Sequence, residues 1–413
     1  MTVNRRTLLG AAATAPVWGA LPYRSARAQV ANTIRIGVLN DQSGLYRDIG
    51  GPGATHAVNL AVRESGVRER GINVEVIQAD HQNRPDVGSN ITRQWIDQNG
   101  VDVILDVPTS SVALAVSGIV REKNKIHINS GAATSDLTGP ACSPNLIHWT
   151  YDTYNLGKGT GGAMVAAGGN TWFFITADYA FGHALERDTT AFINAAGGRV
   201  LGGVRTPFPG TTDFSSFLQQ AQRSRARVIG LANAGGDTIN CIKQAAEFRI
   251  TRGGTKLAGL LVFISDIHSL GLEIAQGLVL TETFYWDLND RTRAFTERLG
   301  ATPGNLKPSM TQAGCYSGVL HYLKAVADMG AAQAKASGVE TVNRMKAMPT
   351  SDDAFGEGSI RPDGRKLHPA YLFEVKTPAE SRGAWDYYKL ISTIPADQAF
   401  RPLNEGGCAL VRS

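Results

Sequence analysis

A run of hydroxyl residues lies where a predicted buried strand meets a predicted helix. The apolar segment 101–107 is followed almost at once by Thr109, Ser110 and Ser111. Such side chains commonly cap a helix by accepting hydrogen bonds from the free N–H groups of its first turn. The same N–H groups and the positive end of the helix also favour a bound carboxylate or phosphate. This stretch alone leaves both roles open.

Small residues and hydroxyl residues also follow the next predicted strand, Ile126–Asn129. The sequence SGAATS comes directly after it and contains Ala132 and Thr134. Ligands of open α/β sheets bind outside the carboxyl ends of the strands, so two neighbouring ends of this kind can converge on one small anion. The small side chain of Ala132 would let an anion approach the backbone N–H groups of this loop closely. Together the two strand ends favour a binding role for Ser110.

Aromatic and polar residues follow the other predicted strands and extend this candidate site. The candidates are Tyr46, Tyr179, Phe181, Asn233, Asp266, Tyr285 and Trp286. The aromatic pair Tyr285-Trp286 falls where the chain would cross between two halves of the protein. An exposed aromatic pair suits a ligand cleft, and core packing is the alternative for these two rings.

Motifs of enzyme chemistry are missing from the sequence. It contains no GxSxG, HExxH, paired CxxC or GxxxxGK[ST] pattern, and its eight histidines lack metal-ligand spacing. Asp80, His81 and Asp178 fall near strand ends, but no nucleophile and base assemble around them. We therefore expect a binding protein without cofactor or metal, and a secreted enzyme using these three residues is the less favoured alternative.

The first 28 residues have the pattern of an export signal. Arg5 and Arg6 precede an apolar, alanine-rich stretch, and Ala26-Arg27-Ala28 offers small residues for signal peptidase. The paired arginines are typical of the twin-arginine route, with the general route as the alternative. A membrane anchor would need about 20 apolar residues, more than this stretch provides. The sequence predicts an exported protein whose signal peptide is cleaved near Ala28.

The net charge is low once this segment is removed. The full chain of 413 residues carries a formal charge of +5, and residues 1–28 contain four arginines and no acidic residue. The mature chain therefore carries about +1, which gives no electrostatic reason to expect nucleic acid or an anionic membrane as partner.

The four cysteines fall into two groups. Cys241 and Cys315 lie in helical patterns and are expected to be buried in the core. Cys142 and Cys408 lie in loop-like surroundings, where an exported protein can form a disulfide. If one bridge exists, we expect it between this second pair.

Strand and helix patterns alternate over most of the chain, which predicts an α/β fold with parallel sheets. The predicted strands are 33–40, 73–79, 101–107, 126–129, 171–177, 199–206, 227–232, 257–264 and 277–284. The alternation pauses in a loop-like stretch at 131–148, where we expect the chain to cross between two halves. Helices dominate after residue 284, and two further strands are predicted at 370–376 and 385–391.

An ordered set of motifs carries a family resemblance. They are TIRIGVLNDQSGLY, DVPTSSVAL, NSGAATSDLTG, ADYAFGHAL and ANAGGDTINCIKQAAEF. Together they resemble the periplasmic solute-binding proteins of branched-chain amino-acid-type ABC importers, over residues 33 to about 391. The resemblance implies two Rossmann-like lobes that are joined by three crossovers and close on a ligand. Lobe 1 would comprise 29–150 and about 285–365, lobe 2 would comprise 151–284 and about 366–392, and 393–413 would form a C-terminal tail.

The resemblance also implies roles for the candidate residues. The ligand carboxylate would be held by Ser110 and by the loop that contains Ala132 and Thr134. Phe181, or alternatively Tyr179, would stack on the ligand. Asp266 would face an amino group, but the family's tyrosine partner for that group is replaced near Asn233, so recognition of an α-amino group stays open. Tyr46, Tyr285 and Trp286 would suit an aromatic acid.

The resemblance implies an exported receptor, monomeric in our expectation, that delivers a small carboxylate to the permease of an ABC transporter. A sensor that closes in the same way without transport is the alternative.

Overall fold

The computed structural model describes residues 32–411, so the predicted signal peptide at 1–28 lies outside the described residues. The described chain alternates strands with helices, as the sequence predicts. Its strands are β1 (Thr33–Asn40), β2 (Asn73–Asp80), β3 (Val103–Asp106), β4 (Ile126–Asn129), β5 (Leu146–His148), β6 (Thr171–Ala177), β7 (Arg199–Thr206), β8 (Val228–Ala232), β9 (Lys256–Gly259), β10 (Val279–Glu282), β11 (Ser359–Ile360), β12 (Lys366–Leu367), β13 (Ala370–Val375) and β14 (Tyr388–Ile394).

The helices connect and cover these strands. They are α1 (Gly51–Glu64), α2 (Pro85–Asp97), α3 (Ser110–Glu122), α4 (Thr153–Leu156), α5 (Gly162–Ala166), α6 (Ala180–Ala195), α7 (Ser215–Arg223), α8 (Gly236–Glu247), α9 (Ile264–Leu270), α10 (Leu272–Ala275), α11 (Asp290–Leu299), α12 (Met310–Met329), α13 (Ala331–Ala336), α14 (Gly338–Ala347) and α15 (Ala396–Ala399). Short 3-10 turns and one π turn (Gly157–Gly161) complete the described chain. Among residues 32–411, no helix has the length and apolar character needed to cross a membrane.

Two parallel sheets form the centre of the molecule. The first has the strand order β2-β1-β3-β4-β5 and the second has the order β7-β6-β8-β9. The inner strands β1 and β3 are apolar on both faces because helices cover both faces. We call the part built on the first sheet lobe 1 and the part built on the second lobe 2. The predicted α/β class with two parallel-sheet lobes is confirmed.

As far as β14, the chain passes between the lobes three times, and the segment after β14 lies against lobe 1. It leaves the first sheet after His148 and returns after Glu282, because helices α11 and α12 pack against α1 of lobe 1. It crosses again before Ala370, where β13 joins β10 and β14 in an antiparallel sheet. Residues from this third sheet share a buried cluster with the second sheet, so it belongs to lobe 2.

Two strand predictions and one loop prediction need correction. The apolar run 257–264 is a strand only over Lys256–Gly259, and its end starts helix α9 at Ile264. Burial of the run explains its apolar composition. The stretch 131–148, predicted as a loop, contains the short strand β5. The last strand starts and ends three residues later than predicted, at Tyr388–Ile394.

Cys142 and Cys408 form a disulfide, the pair that the sequence favours. The bond ties the C-terminal segment to the loop that precedes β5 in lobe 1. Cys241 and Cys315 are free and buried, as expected for small core residues.

Candidate functional site

The carboxyl ends of the strands of both parallel sheets face a cleft between the lobes. At its centre lies a cavity of about 10 Å³, roughly the room needed by one water molecule. The lining residues are Tyr46, Ile49, Pro108, Gly131, Ala133, Tyr151, Tyr179, Phe181, Ala234, Leu261 and Phe263. All of these lining side chains are uncharged and five are aromatic, so the centre of the closed cleft is mainly apolar.

The two lobes touch directly across this cavity. The hydroxyls of Tyr46 in lobe 1 and Tyr179 in lobe 2 lie 2.6 Å apart and share a hydrogen bond. The ring of Phe208 stacks on Tyr179 at 4.0 Å and on Tyr46 at 5.7 Å between centroids. The N–H of Gly236 donates to the carbonyl oxygen of Leu45 at 3.2 Å. These contacts describe a closed cleft.

Gly235 permits this close approach of the lobes. Its φ is +56°, a value that disfavours side chains. A Cβ at this position would lie 2.5 Å from the carbonyl oxygen of Leu45 and 2.9 Å from the ring of Tyr46. A glycine is therefore needed here both for the backbone conformation and for contact with lobe 1.

Ser110 is fully buried as the first residue of helix α3. Its hydroxyl oxygen accepts a hydrogen bond from the N–H of Thr134 at 3.2 Å, so the two predicted carboxylate-binding residues lie side by side. Thr109 stands at the N-cap position, but its side chain makes no cap and donates instead to Asn83. The simple helix-cap interpretation of this hydroxyl run is therefore not what the structure shows.

The loop after β4 is arranged differently from the sequence-based expectation. The side chain of Asn129 holds both backbone groups of Ala132, accepting from its N–H at 3.0 Å and donating to its carbonyl oxygen at 2.7 Å. Ala132 packs in the cluster around β3 and α3, and its neighbours Gly131 and Ala133 line the cavity. The backbone of Ala132 is thus already engaged, and its contribution is to shape the loop.

Two predicted lobe 2 residues lie beside the cavity without lining it. Asn233 accepts a hydrogen bond from the hydroxyl of Thr238 at 2.7 Å. Asp266 accepts from the N–H of Phe263 at 3.0 Å and so stabilises the start of helix α9. Burial raises the pKa of Asp266 to about 7. Asp266 also borders a second cavity of about 540 Å³, which includes Asp48 of lobe 1 and lies at the edge of the cleft.

Tyr285 and Trp286 do not reach the cavity. Both donate to the backbone oxygen of Trp385, at 3.1 Å and 3.0 Å. Tyr285 also packs against Phe373 and Tyr388, with ring centroids 5.5 Å and 4.9 Å away. These two rings pack in the core of lobe 2, which was the alternative interpretation of the sequence. The antiparallel sheet of lobe 2 supplies the aromatic cluster that surrounds them.

Sequence reasoning missed three residues at the cleft. Phe208 stacks on both Tyr46 and Tyr179, and the Tyr151 hydroxyl donates to the carbonyl oxygen of Gly131 at 2.7 Å. Asp237, in the first turn of α8, is buried near the tyrosine pair. The available signal for Phe208 and Asp237 was their position just after the ends of β7 and β8.

The residues of the enzyme alternative remain apart. Asp178 pairs with His183 at 2.8 Å on the exposed surface of lobe 2. His81 is buried in lobe 1, where its ring accepts from the N–H of Asn83 and burial lowers its pKa to about 4. Within residues 32–411, no group of three or more His, Cys, Asp or Glu side chains could hold a metal ion.

Comparison with known proteins gives one family. The family model described as "Periplasmic binding protein" matches residues 33–383. A periplasmic binding protein from Burkholderia mallei is 47% identical, with 92% of this chain and 100% of that chain covered and a TM-score of 0.88. A branched-chain amino acid ABC transporter periplasmic ligand-binding protein from Burkholderia xenovorans is 37% identical. The match covers 91% of this chain and 99% of that chain, with a TM-score of 0.79.

More distant structures share the fold. A solute-binding protein of an ABC transporter from R. palustris, in complex with 4-hydroxybenzoate, is 24% identical, with 88% of this chain and 97% of that chain covered and a TM-score of 0.79. No curated protein matches this chain. Since the family model spans most of the sequence and two structures of such proteins exceed one third identity over nine tenths of it, the chain belongs to the periplasmic binding protein family.

Proposed function

We propose that this protein is the periplasmic receptor of an ABC importer and captures a small carboxylate with an apolar, preferably aromatic, body. One observation carries the proposal: Ser110 and Thr134 meet at neighbouring strand ends beside a cavity lined by aromatic rings. On ligand binding, the Ser110 hydroxyl would give up its hydrogen bond with the Thr134 N–H and donate to the carboxylate. The Thr134 N–H would then be free to donate to the carboxylate as well. Both are donors, and donors are what a carboxylate requires.

The uncharged lining of the cavity favours an aromatic acid over an amino acid. An ammonium group would need a charged or strongly polar partner, and the cavity offers only tyrosine hydroxyls among polar side chains. The R. palustris protein in complex with 4-hydroxybenzoate supports an aromatic ligand, whereas the B. xenovorans protein is named for branched-chain amino acids. We therefore place aromatic carboxylates first.

Closure of the lobes would couple binding to transport. A ligand that touches both lobes favours the closed form by its difference in affinity for the two forms. Micromolar affinity requires about −8 kcal/mol. A few charge-assisted hydrogen bonds at about 1.5–3 kcal/mol each, with aromatic contacts at about 0.5–1.5 kcal/mol, can supply it. The closed form would then be the one that the permease recognises.

The same proposal includes the organisation of the mature protein. Residues 1–28 act as the export signal, lobe 1 comprises 29–150 and about 285–365, and lobe 2 comprises 151–284 and about 366–392. The protein acts as a monomer in the periplasm, without a cofactor and without catalysis. The three crossings between sheets support this division of the chain.

Ser110→Ala tests the proposed anion site. We expect this change to weaken binding of the carboxylate by about 1–3 kcal/mol, because it removes a hydrogen bond to a charged group. Isothermal titration of the wild type and the variant with the same aromatic acid measures the difference. Ser111→Ala, one residue along the same helix at a partly exposed position, is the matched control and should bind normally. Equal affinity of the Ser110 variant, together with lower stability, would reduce Ser110 to a structural role.

A further inference from the structure

Asp237 is a buried acid without a partner. Only 1% of the residue is exposed, and neither carboxyl oxygen has a hydrogen-bond partner within residues 32–411. Burying a polar group without a hydrogen-bond partner destabilises the folded state, so buried polar atoms are nearly always paired. The unpaired carboxyl therefore calls for a donor that the chain itself does not supply.

The carboxyl lies beside the closed cleft. Gly235 and Gly236, immediately before it, contact Leu45 and Tyr46 of lobe 1. Burial raises the pKa values of Tyr46 and Tyr179, two of the three tyrosines that line the cavity, and the nearby charge of Asp237 adds to both shifts. The missing donor would therefore come from the cleft side.

Further polar groups near this carboxyl are also unpaired. Asn233 is the first residue after β8, and Ser265 lies in the first turn of α9, which follows β9. The side-chain nitrogen of Asn233 and the hydroxyl of Ser265 are buried and have no partner in the described chain. Because β8 and β9 are neighbours in the second sheet, their carboxyl ends lie close together. Lobe 2 thus carries several unpaired polar groups at the carboxyl ends of β8 and β9, and Ser265 borders the second cavity at the edge of the cleft.

We propose that Asp237 is a specificity-determining residue that accepts a hydrogen bond from a hydroxyl at the end of the ligand opposite its carboxylate. This inference rests on the proposed function and narrows its ligand class to hydroxylated aromatic acids. A hydroxyl donates one hydrogen bond, which a single carboxyl can accept, whereas an ammonium brings three donors and a charge into an apolar cavity. The hydroxyl is therefore the better match.

Isothermal titration with two pairs of acids tests this inference. The pairs are benzoate with 4-hydroxybenzoate and phenylacetate with 4-hydroxyphenylacetate, which differ in each case only by the hydroxyl. In the wild type we expect the hydroxylated member of at least one pair to bind about 10- to 100-fold more tightly. In Asp237→Ala this preference should fall below about twofold, with the affinity for the unhydroxylated acid unchanged, and Asp237→Asn should restore part of it because its amide oxygen still accepts.

Ser117→Ala is the matched control. Ser117 is also buried with an unpaired hydroxyl, but it lies within helix α3, two turns from the cleft end of that helix. The control should keep the full hydroxyl preference, and thermal unfolding confirms that each variant is folded.

Each outcome has one meaning. Binding of both members of each pair with equal affinity by the wild type, or an undiminished preference in Asp237→Ala, overturns the role of Asp237 and leaves the proposed function intact. Tighter binding of 4-(aminomethyl)benzoate than of either hydroxylated acid overturns the choice of a hydroxyl. If no carboxylate binds, the proposed function fails and this inference fails with it.

Discussion

Gly235→Ala should weaken ligand binding by about 100-fold or more, equivalent to about 2.7 kcal/mol. A Cβ at this position would lie 2.5 Å from the backbone oxygen of Leu45, so the lobes could not approach to the distance seen in the closed cleft. A backbone atom cannot turn away as a flexible side chain can. Isothermal titration should show the loss of affinity, and small-angle scattering should show that the ligand no longer compacts the protein.

Gly271→Ala separates this effect from backbone strain. Gly271 is in the same lobe and also has a positive φ, +75°, but nothing lies within 4 Å of a Cβ placed there. This control should lower stability through strain, as the Gly235 variant also does, yet bind ligand normally. If both variants bind like the wild type, closure at Gly235 is not needed for binding.

Arg365→Met should lower the free energy of unfolding by about 3–5 kcal/mol. Arg365 is fully buried, lies 3.3 Å from the Asp152 carboxylate, donates to the backbone oxygen of Thr150 and stacks over the ring of Phe400 at 4.3 Å. Burial of the guanidinium lowers the pKa of Arg365 to about 10, while Asp152 opposes that shift. Replacing Arg365 would leave the buried Asp152 carboxyl without its counter-charge. Urea unfolding measures the difference.

Arg84→Met is the control for this pair. Arg84 and Asp86 form an ion pair at 2.6 Å with both side chains more than half exposed. An exposed pair contributes only about 0–1 kcal/mol, so the loss should be small. Equal effects of the two replacements would mean that the buried pair contributes no more than a surface pair.

Local patterns of the sequence were sufficient to predict most of the fold. The strands Thr33–Asn40, Ile126–Asn129, Thr171–Ala177 and Arg199–Thr206 have the predicted ends. Their β-branched and apolar runs stop at polar or turn residues, so local signals mark both ends. The strand prediction for 257–264 was wrong because a buried irregular segment requires apolar residues as much as a buried strand does. Leu146–His148 is too short to show a pattern of its own.

Only those contacts of the site that follow from the order of the strands in the sheet could be predicted from the sequence. Ser110 and Thr134 follow neighbouring parallel strands, so their meeting is a consequence of topology. The surroundings of Tyr285 depend on Trp385, 100 residues later in the chain, and no local pattern reveals that contact. Asp237 also follows a predicted strand end, but an acid in the first turn of a helix is ordinary, so its position alone did not mark it as a site residue. Its lack of a partner is visible only in three dimensions.

The central claim, that the cleft binds the carboxylate of an aromatic acid, is tested most directly by comparing one acid with its primary amide. Thermal unfolding of the mature protein should be followed with benzoate and benzamide, and with 4-hydroxybenzoate and its amide, at equal concentrations. A ligand that binds only the folded state raises the unfolding temperature. The account predicts a clear rise with the acids and little or none with the amides. Equal rises with acid and amide, or a rise with neutral sugars alone, would contradict it.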